Sequence, residues 1–291
     1  MKTVLPTPPK TAWPTVAIVG VGLIGGSVGL AVQARRLAGR VIGVGRSATS
    51  LSAARKARAV TETSLDLEAA AAAADLVVVA TAVSMIPGLL ERIDAAVRPG
   101  TLITDAGSTK ARIVAAWEKR RRSRRGRFVG GHPIAGSHRR GPAAADALLF
   151  DGRVTVVTPA RSTPPADAEA IGSFWAALGS TVFMMPPKEH DKHLAATSHA
   201  PHLVAAAIAL ATPSSARRFT AGGWRDTTRI AAGDPALWAD ILLDNAAHVI
   251  GAVAKITDTA GKMAAAIEAG DRRRLVTLLE RAKEERDAVG G

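Results

Sequence analysis

The chain reads as an α/β protein: a doubly wound parallel sheet in its N-terminal half, followed by an all-helical C-terminal domain. Three observations predict this. Short apolar runs alternate with helical stretches as far as Val157, a glycine-rich turn directly follows the first run, and beyond Pro187 the pattern is almost wholly helical. At 291 residues there is room for two domains.

The elements follow in order. Val16–Val19 is a buried strand that stops at glycines and leads into a helix through Leu30 and Val32. Val41–Val44 is the second strand, and the alanine-rich helix Glu68–Ala74 precedes a third at Leu76–Ala80. Arg98-Pro99-Gly100 is a turn signal before the strand Thr101–Thr104, and Phe128–Val129 and Val154–Val157 supply further short strands. Ser162-Thr163-Pro164-Pro165 reads as a boundary segment, giving a first domain over 14–160 and a second over 161–291. The helix Ala166–Leu178 and the strand Thr181–Met184 come next. Three helical stretches then run from Glu189 to about Leu210, from Pro235 to about Ile256 and from about Asp271 to Ala288.

Composition removes several function classes. There is no cysteine, which excludes disulfides, thiol nucleophiles and thiolate zinc sites and suits a reducing cytoplasm. The proline-containing N-terminal stretch does not resemble a signal peptide, and no apolar run is expected to approach the roughly 20 residues of a bilayer span. The net charge of +13 is concentrated partly in Arg120, Arg121, Arg122, Arg124, Arg125 and Arg127. A phosphate backbone is one partner for such a cluster, but no aromatic residues interleave to stack bases, so a solvated loop is the expectation and nucleic-acid binding is not.

Gly20-Val21-Gly22-Leu23-Ile24-Gly25 fits G-x-G-x-x-G immediately after the first strand. The first glycine permits the tight turn, the second lets the backbone approach a pyrophosphate, and the third lets helix and strand pack closely. The following helix aims its N-terminal amides at the phosphates. This is a Rossmann-type dinucleotide site, implying a nicotinamide dehydrogenase. Its second strand ends in Gly43-Val44-Gly45-Arg46-Ser47, without the acid that binds the ribose hydroxyl of NAD. Arg46 can pair with a 2′-phosphate and Ser47 can hydrogen-bond to it, so NADP is expected over NAD. A plain cover over the adenine face is the other role open to Arg46.

Further segments exceed what the generic fold requires. Asp105-Ala106-Gly107-Ser108-Thr109-Lys110 and Gly130-Gly131-His132-Pro133-Ile134-Ala135-Gly136-Ser137 each follow or include a strand. The second domain carries Ser198-His199-Ala200-Pro201-His202, Gly222-Gly223-Trp224-Arg225-Asp226-Thr227-Thr228-Arg229-Ile230-Ala231 and Asp234-Pro235-Ala236-Leu237-Trp238. Together, in this order, they resemble the prephenate and arogenate dehydrogenase family of tyrosine biosynthesis. That resemblance implies oxidative decarboxylation, in which hydride leaves the ring carbon bearing the 4-hydroxyl and the ring carboxylate leaves as carbon dioxide.

The resemblance assigns the catalytic histidine to His132, whose ordinary pKa suits proton transfer near neutrality. On its own, a His-Pro after a strand is more often a turn or capping residue than a catalytic one. Ser108 matches the family serine near that histidine and the nicotinamide; it also fits an N-cap for a helix starting near Thr109. Arg229 matches an arginine that binds a substrate carboxylate, as a bidentate guanidinium can. A surface salt bridge is the alternative. His202, Ser198, Gly222, Trp238 and Ser137 match pocket residues. Where relatives often carry an acid after the position of Ser137, this chain has His138, which favours prephenate over arogenate as substrate. His190 and His193, beside Glu189 and Asp191, could suggest a metal site; they read instead as the solvated start of a helix, and no metal is expected. The helical domain is expected to form a homodimer.

Overall fold

A computed structural model describes residues 13–120, 124–136 and 139–289. The N-terminal stretch before Trp13, and Ser137 and His138, lie outside the described residues.

Eight strands form one sheet: β1 (Thr15–Val19), β2 (Arg40–Val44), β3 (Glu62–Ser64), β4 (Leu76–Val79), β5 (Leu102–Asp105), β6 (Arg127–Pro133), β7 (Val154–Thr158) and β8 (Thr181–Met184). Their order is β3-β2-β1-β4-β5-β6-β7-β8. The apolar runs are continuous because both faces of the sheet are covered. Val16 and Ile18 of β1 join one buried cluster with Leu76 and Val78 of β4; Ala17, Val19, Val77 and Val79 join another. The alternation is the two-residue period of a strand. Helices α1 (Leu23–Ala34), α2 (Ala48–Lys56), α3 (Leu67–Ala73), α4 (Ile86–Ala96) and α5 (Ala111–Lys119) connect the parallel strands. The chain switches direction across the sheet between β1 and β4, which opens a crevice at their carboxyl ends.

The structure corrects the sequence reading in four places. First, β6 pairs with β7 antiparallel, so the sheet is mostly rather than wholly parallel. Secondly, β8 pairs with β7, and α6 (Pro165–Ala177) buries Phe174 and Trp175 against the sheet. The sheet layer therefore runs to Met184, and a boundary at 160/161 would cut through it. The prolines that suggested it start α6, where the missing amide hydrogen costs nothing.

Thirdly, the helical stretch from Pro235 is broken. Helices α10 (Pro235–Asp244) and α11 (Ala246–Glu268) meet at 96°. No glycine or proline marks the break, which falls at Asn245. Its buried side chain donates to the Asp191 carbonyl (2.7 Å) and contacts His199 Nδ1 (3.1 Å) and His248 Nδ1 (2.9 Å), and these bonds fix the corner. Fourthly, α7 (Pro187–Leu194), a π-helical turn over Ala195–His199 and α8 (Ala200–Ala211) make a rod of 25 residues that is long and apolar enough to cross a membrane. Alanines supply much of that apolarity. The rod also holds His190, Asp191, His199 and His202, all buried, and packs on α11, while 33% of its apolar window is buried. The π-helical turn lies just before Pro201, which has no amide hydrogen to continue the ladder. Helices α9 (Gly222–Thr228) and α12 (Arg272–Ala288) complete the chain.

Of the arginine-rich stretch, Arg121 and Arg122 lie outside the described residues, and the arginines on either side are not merely solvated. The Arg124 guanidinium lies 5.0 Å from the centre of the Trp117 ring, Arg127 pairs with Asp167 at 2.7 Å, and Arg120 with Glu91 at 3.4 Å. Buried Asp94 accepts the amides of Arg125 and Gly126.

Candidate active site

The glycine turn has the form its sequence predicts. Gly20 holds φ +94°, and a Cβ there would sit 2.6 Å from the Ala80 carbonyl oxygen. At Gly25 a Cβ would lie 2.0 Å from the Gly20 carbonyl, so α1 packs directly on the turn. Around Gly22, by contrast, a Cβ would meet nothing within 4 Å. Gly22 is the N-cap of α1 and supplies no side-chain cap, and no acid lies in the first turn. The helix opens with its amides and positive dipole end available, which suits a pyrophosphate. Leu23 and Ile24 are the first two residues of that helix.

Thr81, just after β4 and against Gly20, has a buried Oγ1 with no partner among the described residues. A hydroxyl left without a partner beside the glycine turn is a candidate contact for a dinucleotide. Sequence reasoning missed it, although a threonine just past a strand beside the glycine turn was a usable signal. Arg46 and Ser47 are exposed at the end of β2, and the Ser47 hydroxyl also caps α2, accepting the Ser50 amide at 3.4 Å.

His132 lies within β6 rather than beyond it, opposite Val156 of β7, and is 8% exposed. Its Nδ1 is 2.8 Å from Nε2 of His190, whose own Nδ1 is 2.7 Å from Oδ1 of Asp191. His190 and Asp191 are thus buried and joined to the site, contrary to their reading as a solvated helix start. Glu189 and His193 are exposed and only 3.5 Å apart on the outer face of α7, and no group fit to hold a metal occurs among the described residues. The mixed fate has a simple cause. Helical periodicity turns His190, Asp191 and Leu194 inward while Glu189 and His193 face out.

Asp191 does a second task. Its carboxylate accepts the backbone amides of Lys110 and Ala111, both at 2.8 Å, and so caps α5 from another part of the chain. The helix begins at Ala111, and Ser108 does not cap it. Ser108 is left half-buried between β5 and α5. Beside it, fully buried Lys110 pairs with Asp105 and donates to the Gly131 carbonyl at 3.0 Å. Asp105 also accepts the amides of Gly107 and Gly131.

These surroundings hold the imidazoles neutral. Burial, then the neighbouring His190, Lys110 and His199, push the His132 pKa well below its ordinary 6.5. Burial lowers that of His190 as well, against the opposing pull of Asp191. Burial tends to raise the Asp191 pKa, but the hydrogen bonds from His190, Ala111 and Lys110 prevail and hold it low.

The helical part adds an aromatic wall. His202 of α8 stacks on Trp238 of α10, and its buried Nδ1 has no partner among the described residues. His199 Nδ1 accepts from Asn245, and its ring meets Trp238 edge-on at 6.3 Å. Contacts therefore run unbroken from His132 through His190, Asp191, Asn245 and His199 to Trp238 and His202. Ser198 sits half-buried in the π-helical turn, a distortion often found at functional sites. Arg229 and Gly222 are exposed, at the end and start of α9, and neither has a hydrogen bond or ion pair to this network among the described residues. Ser137 lies outside the described residues. Helix α10 reaches back to the first unit: Asp240 accepts from Ser84 and Asp244 from Thr109, both at 2.6 Å, and Asp234 pairs with Arg140 at 2.9 Å.

Residues 28–184 match the family described as prephenate dehydrogenase, nucleotide-binding domain, and residues 186–281 match prephenate dehydrogenase, dimerization domain. A prephenate dehydrogenase of Bacillus subtilis is 34% identical over 94% of this chain and 76% of its own length. The structure is similar to prephenate dehydrogenase from Aquifex aeolicus solved with hydroxyphenyl propionate and NAD+, with TM-score 0.86, 28% identity and coverage of 94% of this chain and 98% of that one. It is also similar to Synechocystis arogenate dehydrogenase, with TM-score 0.80, 27% identity and coverage of 94% and 99%. With both family domains matched in order and the sheet, glycine turn and buried histidine in place, this chain belongs to the prephenate dehydrogenase family.

Proposed function

We propose that the chain converts prephenate to 4-hydroxyphenylpyruvate by oxidative decarboxylation, with NADP preferred over NAD. The observation that carries this reading is His132, buried near the carboxyl end of β6, with its pKa held low, in the same sheet whose first strand runs into the glycine turn. A neutral imidazole there can receive the proton of the ring 4-hydroxyl while the C4–H bond breaks. The bound nicotinamide supplies the hydride acceptor. The electron pair of the C1–carboxylate bond enters the ring as carbon dioxide leaves, and His132 returns the proton to the phenolate oxygen of the aromatic product.

The other residues position and exclude. Ser108, free of a capping duty, hydrogen-bonds near His132 and the ring hydroxyl. His202 and Trp238 form a flat wall for the ring and its side chain, with Ser198 and Gly222 as further pocket residues; Ser137 is assigned to the pocket by the family resemblance alone. Arg229 supplies the fixed charge for a substrate carboxylate. Gly20, Gly22, Leu23, Ile24 and Gly25 hold the dinucleotide, with Arg46 and Ser47 at a 2′-phosphate. Large apolar side chains left in water on the helical part, among them Leu210 at 88% and Leu243 at 76% exposed, favour a homodimer through this region. A cytoplasmic setting accords with these assignments.

The test mixes purified protein with prephenate or arogenate, each with NAD or NADP, follows reduced nicotinamide and identifies the aromatic product. Turnover with prephenate and NADP above the other pairings is the expected result. A higher efficiency with arogenate would overturn the substrate, and no turnover in any pairing would overturn the reaction.

A further inference from the structure

We infer that His190 is a positioning residue that fixes the tautomer of His132, placing hydrogen on Nδ1 and leaving Nε2 as the bare nitrogen that meets the substrate. The inference rests on His132 being the base proposed above. Proton positions follow from the order of groups along the hydrogen-bonded row. Asp191 is ionised and can only accept. It already receives the amides of Lys110 and Ala111, so the ring nitrogen 2.7 Å from its Oδ1 must also be a donor. His190 therefore carries hydrogen on Nδ1. As a neutral ring it presents an unprotonated Nε2 at its other end. The contact of 2.8 Å from that nitrogen to His132 Nδ1 is a hydrogen bond only if His132 is the donor. His132, also neutral, then has its lone pair on Nε2.

A cationic His190 would reverse the row, donating to His132 and placing hydrogen on the wrong nitrogen. The surroundings oppose that state. Both rings are buried, and the Lys110 ammonium is held close by its bond to the Gly131 carbonyl, next in chain to His132. Asp105 pairs with Lys110, and His199, the other imidazole near His132 and His190, is committed to Asn245. The arrangement is a carboxylate-to-imidazole row of the kind that orients the base in hydrolase triads, extended by one ring. It also explains why a helix in the second part of the chain should bury His-Asp against β6 and the start of α5.

Two measurements test the inference. In protein labelled with ¹⁵N, without substrate, long-range ¹H–¹⁵N correlation of the imidazoles near neutral pH reads the tautomer directly. The His132 signals, assigned by their loss in His132→Asn, are expected to show protonated Nδ1 and bare Nε2. Protonated Nε2 overturns the inference whatever the enzyme does. In kinetics, His190→Leu removes the acceptor, while His190→Gln keeps an oxygen that can accept from Nδ1. The expected result is a kcat reduced about a hundredfold in the leucine variant, the lower end of what a placed general base contributes. The KM values for both substrates change little, and the glutamine variant recovers most of kcat. Equal losses in both variants, tracking a lowered melting temperature, would reduce His190 to a packing residue and overturn the proposal. The expected tautomer together with full turnover in His132→Asn would instead remove His132 as the base, which separates failure of the functional reading from failure of the tautomer.

Discussion

His202 lies flat against Trp238, with ring centroids 3.5 Å apart and planes 13° from parallel. The pair joins α8 to α10, and Gly233 lets it close: a Cβ there would come within 2.4 Å of the indole nitrogen.

Trp238→Leu should leave the fold intact, because Trp238 is only half-buried, but should remove the flat wall of the pocket. Stacked aromatic pairs are worth about 0.5–1.5 kcal/mol beyond area, so KM for the ring substrate should rise about threefold to tenfold with a smaller change in kcat. Steady-state kinetics check this; an unchanged KM would remove Trp238 from the pocket.

Two glycine variants should separate folding from cofactor binding. Gly25→Ala forces a methyl to 2.0 Å from the Gly20 carbonyl, backbone against backbone, and should lower stability by about 1–3 kcal/mol while disrupting the turn. Gly22→Ala points into open space. It should melt like the parent yet bind the dinucleotide about tenfold more weakly, a loss of about 1.4 kcal/mol. Thermal melts beside calorimetric titration decide the matter, and the reverse pattern would misplace the pyrophosphate.

Acid should unfold the protein earlier than its carboxylates alone would require. Burial lowers the pKa of His132, His190, His199 and His202, that of His199 to about 4. A group whose folded pKa lies below its unfolded value leaves the unfolded chain holding more protons in between. The contribution is therefore complete above the ordinary 6.5 and lost as pH falls towards 4, and for His199 it amounts to roughly 3 kcal/mol. Urea midpoints at pH 7.5 and pH 5 should differ accordingly, and His199→Gln should reduce the difference. Equal midpoints would mean that these rings are solvated.

Arg46→Ala should shift cofactor choice. One charged hydrogen bond to a 2′-phosphate is worth about 1.5–3 kcal/mol, so efficiency with NADP should fall about tenfold or more while that with NAD holds. A parallel loss with both cofactors would leave Arg46 as a cover over the adenine.

The central strands were legible because they are apolar runs buried on both faces, as Leu76–Val79 illustrates. By contrast β3, the polar and largely exposed Glu62-Thr63-Ser64 at the sheet's edge, carried no such signal and was missed. The glycine turn was legible because each glycine answers a separate steric demand. The antiparallel return of β7 was not, since a buried strand of valines carries no mark of its direction. Nor was the corner at Asn245, where a side chain bends the helix by binding residues 46 and 54 positions away. Within the site, His132 was picked out through the family resemblance of its Gly-Gly-His-Pro segment, whereas His190 and Asp191 were hidden among the charged residues of α7. Only tertiary packing shows which turn of that helix faces β6. Ser108 drew its capping role from local spacing, and a carboxylate from a distant segment took that role.

That carboxylate has a consequence for how such proteins can be recombined. A junction after Met184 divides sheet from helices tidily along the chain, and a gene fusion between relatives would naturally be made there. Yet Asp191 lies beyond that junction and holds the opening amides of α5 before it. A foreign helical half without an acid at this place would leave two donors bare in the first half and loosen the loop that carries Ser108. The two halves are thus coupled through this carboxylate, and a working chimera needs an acid at this place to accompany whichever half supplies α5.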